Sequence, residues 1–192
     1  MLKMLIIGNG TSRQTVNLNN IYGTEKIGCN AIFRDVYTDY LVCCDKRMVT
    51  QAIAHGHPDI YTRQRWAHDF NSDSVHSLPD LIEHGKERKD DPFHWGSGPY
   101  AILLGATMDT NIQIVGFDLY GINGKVNNIY SDTSGYSPSN TTAVDPSYWE
   151  YQISKVFNWF PNTHFRIYNT EDWLLPKSWN LTNVSLDKLS NL

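Results

Sequence analysis

The segment from His94 to Gly121 constrains the fold more than any other part of the sequence. Residues 100–108 are apolar on nearly every side, and Ser97-Gly98-Pro99 in front of them is typical of a helix start. The apolar run 112–115 follows directly and predicts a buried strand, which gives way to a loop at Asp118. In an open α/β sheet, ligands bind at such a strand end.

The composition predicts one globular domain. The chain has 192 residues, of which 41% are hydrophobic, so it can bury a substantial core. No apolar run approaches the roughly 20 residues that cross a bilayer, and we therefore expect no transmembrane segment. The net charge of −4 argues against a nucleic-acid partner, because such partners select a basic surface.

Two further features predict a cytoplasmic protein. Met1 leads into an apolar run that Gly8 interrupts too early for a secretion signal. The three cysteines, Cys29, Cys43 and Cys44, lie within predicted strands, which favours a reducing compartment over a disulfide scaffold.

The first strand leads into a candidate anion-binding loop. The apolar run Leu2–Ile7 predicts a central parallel strand. The loop after it consists of Gly8, Asn9, Gly10, Thr11 and Ser12. Such loops can present backbone N–H groups to a phosphate at the start of a helix, although a plain strand-to-helix turn uses the same residues. Arg13 stands where the dinucleotide-binding motif has its third glycine, which argues against NAD.

Two more predicted strands end in polar residues. Lys26–Ile32 contains Asn30, whose amide can read a base edge or a ribose but also fits a buried structural role. Tyr40–Cys44 is followed by Asp45. Together with the loop at Gly8, these residues predict a polar rim along one sheet edge, while caps and turns remain the alternative roles.

The middle of the chain offers no metal site. Its pattern predicts a helix over 47–54, short strands at 60–61 and 75–76, and a helix over 78–85. His55 and His57 are close together, but no spaced histidine or cysteine pair completes a ligand set, so we expect no metal. His94 precedes the glycine-rich helix start, where an imidazole can act as an acid or base or can simply pack.

A long segment, 121–144, is rich in small polar residues. Loops of this length are typical of lids, so we expect it to cover the polar rim. Asp145-Pro146-Ser147 then predicts the start of a helix over 148–160, and 165–168 predicts the last strand. We expect the nucleotide-binding domain to span residues 1–177 and 178–192 to form a polar tail or terminal lobe.

Three motifs in this order resemble one superfamily. They are Ile6-Ile7-Gly8-Asn9-Gly10-Thr11-Ser12, Gly28-Cys29-Asn30, and Ser97-Gly98 with the later Ile114–Tyr120. The combination resembles the bacterial sialyltransferases and their relatives among motility-associated flagellin glycosylation factors and pterin-pyrophosphokinase-like Rossmann proteins. The resemblance covers residues 1–168 with gaps. It implies a Rossmann-like α/β domain with a mostly parallel sheet, helices on both faces and a long lid loop.

The resemblance also implies an activity: a metal-independent glycosyltransferase without a cofactor, which uses a nucleotide-activated sugar. The donor to expect first is a CMP-activated sialic-acid-like sugar, and the acceptor is a glycan or another hydroxyl. The residues expected to hold the nucleotide are the loop 8–12, Asn30, Asp45, Ser97, Gly98 and Asp118.

The catalytic residues follow from the same resemblance. Tyr120 and Tyr130 match tyrosines that stabilise the departing phosphate. The catalytic histidine of the family is missing, and Asp145 and His94 are the candidate bases in its place.

The missing histidine keeps other classes of protein open. One alternative is a nucleotide- or metabolite-binding protein, or an enzyme of pyrophosphate chemistry, on the same scaffold. Another is an interaction module that binds no nucleotide. The sequence also leaves open whether the chain forms a homo-oligomer.

Overall fold

The computed structural model describes residues 3–82 and 95–192, which form one sheet of eight parallel strands. The strands are β1 (Lys3–Ile7), β2 (Thr24–Cys29), β3 (Tyr40–Val42), β4 (Ile60–Thr62), β5 (Val75–Ser77), β6 (Asn111–Val115), β7 (His164–Asn169) and β8 (Val184–Lys188). Their order across the sheet is β5-β4-β3-β2-β1-β6-β7-β8. The predicted α/β class with a single Rossmann-like domain is confirmed.

Four α-helices accompany these strands in the described part of the chain. They are α1 (Lys46–His55), α2 (Gln64–Ala67), α3 (Ser97–Met108) and α4 (Ser147–Trp159). The longest of them, α4, has 13 residues. Within residues 3–82 and 95–192, no helix combines the length and apolar composition that crossing a bilayer requires.

The strand order reverses at β1. Strands β2 to β5 follow one another on one side of β1, and β6 to β8 follow on the other side. The connections after β1 and β6 therefore diverge, and a crevice opens between them at the carboxyl ends of the strands. This topology sets the position of the candidate site.

The central strands are buried on both faces. On one face, Met4 and Ile6 pack with α3 and α4, whereas on the other Leu5 and Ile7 pack with α1. Each of these four side chains is at most 2% exposed. Burial of an aliphatic side chain stabilises the fold by about 1.5–3 kcal/mol. Alternate residues of β1 therefore stabilise the packing of helices on both faces of the sheet. The prediction of helices on both faces is confirmed.

Helix α3 is apolar nearly all round because it lies between the sheet and α4. A Cβ atom at Gly105 would stand 2.7 Å from Ile6 Cδ1. Glycine at this position therefore allows the helix axis to approach the centre of the sheet closely.

The connection after β1 differs from the prediction. Two short 3₁₀ helices, Thr11–Thr15 and Leu18–Asn20, replace the expected α-helix. Ser, Thr and Asn side chains compete for backbone hydrogen bonds and favour turns over helix interiors. Strand β2 also ends at Cys29 rather than at Ile32, because Asn30 takes a left-handed φ of 51°.

The helix predicted over 78–85 is not present in its described part. Residues 78–82 are not helical, and residues 83–85 lie outside the described residues. The Leu78 N–H donates to Thr62 O at 2.8 Å, which extends the pairing of β5 with β4 past the end of the strand.

Residues 178–192 are not a polar tail. They contain β8, which pairs with β7, and Trp179, which is 1% exposed. The Trp179 indole packs edge-on against Phe157 and donates to Glu150 O at 3.0 Å. As an edge strand, β8 has only partly buried and exposed residues, so it lacks the continuous apolar run that identified the central strands.

Candidate functional site

A cleft of about 420 Å³ lies at the carboxyl ends of β1, β2, β3 and β6. Its volume falls within the range of about 300–1,000 Å³ that is typical of small-molecule sites. The cleft lining includes eight of the residues predicted to bind a nucleotide: Gly8, Asn9, Gly10, Asn30, Asp45, Ser97, Gly98 and Asp118. Thr11 and Ser12 do not line it.

Helix α3 begins at the wall of this cleft. Its cap is Gly96 rather than Ser97, and no side chain caps the helix. Within the described ranges, the backbone N–H groups of Ser97 and Gly98 donate to no acceptor. Unpaired N–H groups and the helix dipole together make this end of α3 attractive to an anion.

The Ser97 hydroxyl fixes the start of α3 against the sheet. It donates to Asn30 Oδ1 at 2.8 Å and accepts from the Cys44 N–H at 2.9 Å. The helix start is thereby joined to the ends of β2 and β3. The left-handed backbone of Asn30, which Asn tolerates better than most residues, accompanies this arrangement.

The loop after β1 uses its N–H groups within the protein. Four of them donate to protein acceptors at 2.8–2.9 Å. The donors Gly8, Gly10, Thr11 and Ser12 pair with Val115 O, Gly116 O, Asn127 Oδ1 and Asp118 Oδ2 respectively. These four groups are therefore not available to a phosphate, whereas the N–H groups of Asn9, Ser97 and Gly98 have no acceptor among the described residues.

The loop glycines allow two backbones to pack closely. A Cβ at Gly8 would overlap the carbonyl of Gly116, and a Cβ at Gly10 would overlap the Asp118 carboxylate. Asp118 is 8% exposed and also accepts from the Ser12 hydroxyl. In this half of the cleft, the connections after β1 and β6 therefore pack closely against each other.

Among the described residues, Arg63 is the one cation of the cleft lining, and no sequence motif predicts its role. It follows β4 directly and donates from Nη2 to Trp95 O at 2.7 Å. Its guanidinium carbon lies 5.1 Å from the centre of the Trp66 ring. Among the described residues, no carboxylate forms an ion pair with Arg63. The position of Arg63 at the carboxyl end of a strand was the signal that could have identified it.

Aromatic residues form another wall of the cleft. Tyr148 and Trp149, in the first turn of α4, line it with ring centres 5.2 Å apart. Burial raises the pKa of Tyr148, which therefore remains a protonated donor near neutral pH. Rings at this position can pack against a base or a sugar.

Asp45 lines the cleft and also caps α1. Its Oδ1 atom accepts from the Arg47 N–H at 2.8 Å, as an N-cap carboxylate does. The capping role left open by the sequence is therefore present, and the carboxylate remains half-exposed at the rim.

Tyr120 lies outside the cleft lining. The left-handed residue Leu119 precedes it, and its hydroxyl donates to Leu174 O at 3.4 Å. The Tyr120 side chain is 38% exposed and packs near Trp173. The predicted contact of Tyr120 with a departing phosphate stays a prediction.

Tyr130 is buried in a separate polar network. Its hydroxyl accepts from Arg13 Nη2 at 2.8 Å and donates to Asp35 Oδ1. Burial, and then the bond to the Asp35 carboxylate, raise the pKa of Tyr130 well above its usual value. Arg13 is itself 3% exposed, so the three groups hold the long loop against the first connection rather than facing the cleft.

The long loop packs along the sheet edge through residues 127–136, which we call the strap. Asn127 and Asn128 line the cleft, and the Ile129 N–H donates to Asn9 O at 2.9 Å. The Tyr136 hydroxyl accepts from the Ala31 N–H at 3.2 Å. The strap therefore forms one side wall of the cleft, and the role of residues 121–144 as a lid stays a prediction.

Of the two candidate bases, Asp145 does not line the cleft. Asp145 is exposed and accepts from the Ser147 N–H at 2.9 Å, and this hydrogen bond lowers the pKa of Asp145. A carboxyl group with a lowered pKa is a weaker base. His94 lies outside the described residues.

Metal ligation finds no support in residues 3–82 and 95–192, which hold no group of three or more His, Cys, Asp or Glu side chains suited to a cation. Cys44 lines the cleft, but burial raises the pKa of its thiol to about 11. Such a thiol is a poor metal ligand and a poor nucleophile near neutral pH.

Comparison with protein-family models, curated proteins and solved structures gives no match to this chain. The resemblance to the sialyltransferase superfamily therefore stays a prediction that depends on the three sequence motifs.

Proposed function

We propose that the chain binds a nucleotide or a nucleotide-activated sugar in the cleft, with a phosphate group at the start of α3. The observation that carries the proposal is that the backbone N–H groups of Ser97 and Gly98, at the cleft wall, have no acceptor among the described residues. Backbone donors at a helix N-terminus bind phosphate because the donors and the helix dipole act in the same direction.

The rest of the cleft suits the uncharged part of a nucleotide. Asn9, Asn30, Asn127 and Asn128 line the other walls. The Nδ2 groups of Asn30 and Asn128 and the buried Oδ1 of Asn9 have no partner among the described residues, so these amides can still donate to or accept from a ligand. Tyr148 and Trp149 add aromatic surface beside them. The cleft therefore has one end that attracts an anion and one polar, partly aromatic end, which match the phosphate and the nucleoside of a nucleotide.

Glycosyl transfer is the second candidate, and the position of Tyr148 favours it. Transfer breaks the bond between the anomeric carbon and the phosphate oxygen, and the electron pair remains on the phosphate. The acceptor oxygen forms the new bond to carbon and releases its proton to the half-exposed Asp45 carboxylate or to water. The Tyr148 phenol and the α3 N–H groups would stabilise the added phosphate charge without a metal.

A thermal-shift screen tests the first proposal. CMP, UDP, GDP, ATP, NAD and S-adenosylmethionine are added separately, and we expect CMP to raise the unfolding midpoint most. A ligand at 100 times its Kd stabilises the folded state by about 2.7 kcal/mol. If no nucleotide raises the midpoint, both the binding and the transfer proposals fail.

An activity assay then tests the second candidate. Release of CMP from a CMP-activated sialic-acid-like donor is followed with and without a hydroxyl acceptor. We expect release to depend on the acceptor and to be unchanged by EDTA. Binding of CMP without turnover of any donor would identify a binding protein on this scaffold.

A further inference from the structure

Arg63 is the cationic group of the described cleft lining, and no described carboxylate forms an ion pair with it. Asp45 accepts from the Arg47 N–H, with the Arg47 guanidinium 3.5 Å away, and Asp118 accepts twice from Ser12. Arg63 is held by neutral groups instead: the Trp95 carbonyl and the Trp66 ring. Its positive charge is therefore not neutralised by any described side chain within ion-pair distance.

The guanidinium is fixed but not saturated. Nη2 is occupied by Trp95 O, and Nε is buried without a partner. Nη1 donates to no acceptor within the described ranges and is not among the buried unpaired atoms. A partly buried cation without a counter-charge is costly, and an anionic ligand would remove that cost.

Arg63 also lies next to the start of α3. Its acceptor Trp95 immediately precedes the helix cap Gly96, and the unpaired N–H groups belong to the next two residues. Both features line the same cleft. The helix N-terminus is equivalent to about +0.5 charge, so together with the guanidinium this corner carries about +1.5.

We infer that Arg63 and the N-terminus of α3 form one subsite for a doubly charged phosphate, as in a phosphomonoester or a pyrophosphate. A phosphomonoester carries about −1.5 to −2 charge near neutral pH, whereas a phosphodiester, such as the phosphate of a CMP-activated sugar, carries only about −1, so this subsite favours the CMP leaving group over the intact donor. The inference rests on the proposed function, because it specifies the ligand class of the same cleft. It also assigns the phosphate contact to Arg63, which lines the cleft, rather than to Tyr120 and Tyr130, which do not.

The chain contains a matched control residue. Arg65 lies at the same 5.1 Å from the Trp66 ring as Arg63, but it does not line the cleft. Arg63→Gln and Arg65→Gln each remove one positive charge beside Trp66. Long-range electrostatics and the cation contact with the indole therefore change alike in the two variants. Arg63 in addition donates to Trp95 O and lines the cleft, so titration with cytidine distinguishes loss of that hydrogen bond from loss of a phosphate contact.

Calorimetric titration of both variants with cytidine, CMP and the methyl ester of CMP tests the inference. Arg63→Gln should weaken CMP binding about tenfold or more, as loss of a charge-assisted contact does, and leave cytidine unchanged. The preference of the wild-type chain for CMP over its singly charged methyl ester should disappear in this variant. Arg65→Gln should change every affinity by less than about twofold.

The other outcomes overturn the inference. If Arg63→Gln loses the same affinity for cytidine as for CMP, Arg63 has a structural role. If the two Gln variants lose the same affinity for CMP, the effect of Arg63 is only long-range electrostatics. If Arg63→Gln does not fold, Arg63→Lys is used in its place. We expect this variant to lose part of the affinity for CMP, and an unchanged affinity would contradict the subsite.

A titration with pyrophosphate separates this inference from the proposed function. If the wild-type chain binds no nucleotide but is stabilised by pyrophosphate, and Arg63→Gln abolishes that stabilisation, the proposed function fails and the anion subsite stands. If nucleotides bind and Arg63→Gln binds them as the wild type does, the subsite fails and the proposed function stands. Absence of both nucleotide and pyrophosphate binding contradicts both.

Discussion

Two glycine- and serine-containing segments, residues 8–12 and 96–99, border the same cleft but use their backbone N–H groups differently. In the first segment, four N–H groups donate to acceptors of the protein. In the second, the N–H groups of Ser97 and Gly98 have no acceptor among the described residues. The two segments show that a glycine- and serine-containing sequence predicts a turn beside a ligand site. It does not predict whether the backbone N–H groups of that turn are available to a ligand.

The difference arises from residues distant in sequence. The acceptors for the first segment come from the end of β6 and from the strap, which are more than 100 positions further along the chain. At the start of α3, the Gly96 N–H donates to Gln152 Oε1 of α4 at 3.2 Å, but the N–H groups of Ser97 and Gly98 have no acceptor among the described residues. Arg63 and the aromatic residues of α4 line the cleft beside them.

Substitution at Gly10 should give the largest effect. Gly10→Val would force a side chain into the space of the Asp118 carboxylate, so the free energy of unfolding should fall by about 3 kcal/mol or more. Urea denaturation measures this change. Gly96→Ser is the control in the other segment and should keep wild-type stability, because a Cβ at Gly96 meets only atoms 3.4 Å or more away. Full stability of Gly10→Val with loss of CMP binding would mean that the first segment acts on the ligand.

A carboxylate placed at the start of α3 should separate binding from stability. In Gly96→Asp, the new carboxylate should accept a hydrogen bond from the Gly98 N–H and cap the helix. The free energy of unfolding should therefore be unchanged or slightly higher. CMP affinity should fall about tenfold or more, because the new negative charge would adjoin the phosphate.

The neutral variant Gly96→Asn is the matched control for that charge. It can cap the helix in the same way, and we expect it to weaken CMP binding much less than Gly96→Asp. Unchanged CMP affinity in Gly96→Asp would remove α3 from the phosphate site. Calorimetric titration and denaturation on the same preparations decide the matter.

Tyr130→Phe examines how the strap is attached to the first segment. Removal of the hydroxyl deprives Arg13 and Asp35 of a shared partner, so the free energy of unfolding should fall by about 1 kcal/mol. CMP affinity should change by less than about twofold, since the hydroxyl faces neither the cleft nor α3. A large fall in turnover of a CMP-activated donor at wild-type stability would return Tyr130 to a catalytic role.

Tyr120→Phe should have the smallest effect of the series. The hydroxyl makes one long hydrogen bond at the surface, and its loss should cost less than about 0.5 kcal/mol. The kcat and KM of any donor turnover should stay close to wild type. A loss near a hundredfold in kcat, which is the usual cost of removing a preorganised donor to a developing charge, would contradict the position of Tyr120 outside the cleft.

The sequence predicted the sheet and most of the cleft because both depend on local patterns. The apolar runs of β1 and β6, the apolar helix α3 and the polar residues at strand ends identify elements that meet at one sheet edge. Strand β8 was missed because an edge strand needs no continuous apolar run.

The candidate site residues were harder to predict because their environment depends on long-range contacts. Tyr120 and Tyr130 follow β6 as the family pattern requires, yet Leu119 and the Arg13–Asp35 pair direct them away from the cleft. Arg63 carries no motif, and only the fold brings it beside α3.

The most direct test of the account is a titration of ¹⁵N-labelled protein with CMP, followed by the chemical shifts of the backbone amides. We predict the largest downfield amide-proton shifts at Ser97 and Gly98, with a clear response of the Arg63 side chain. The amides of Gly8, Gly10, Thr11 and Ser12 should respond little, because their hydrogen bonds are already made within the protein. Large shifts at these four amides, with Ser97 and Gly98 unchanged, would contradict the claim that the phosphate binds at the start of α3.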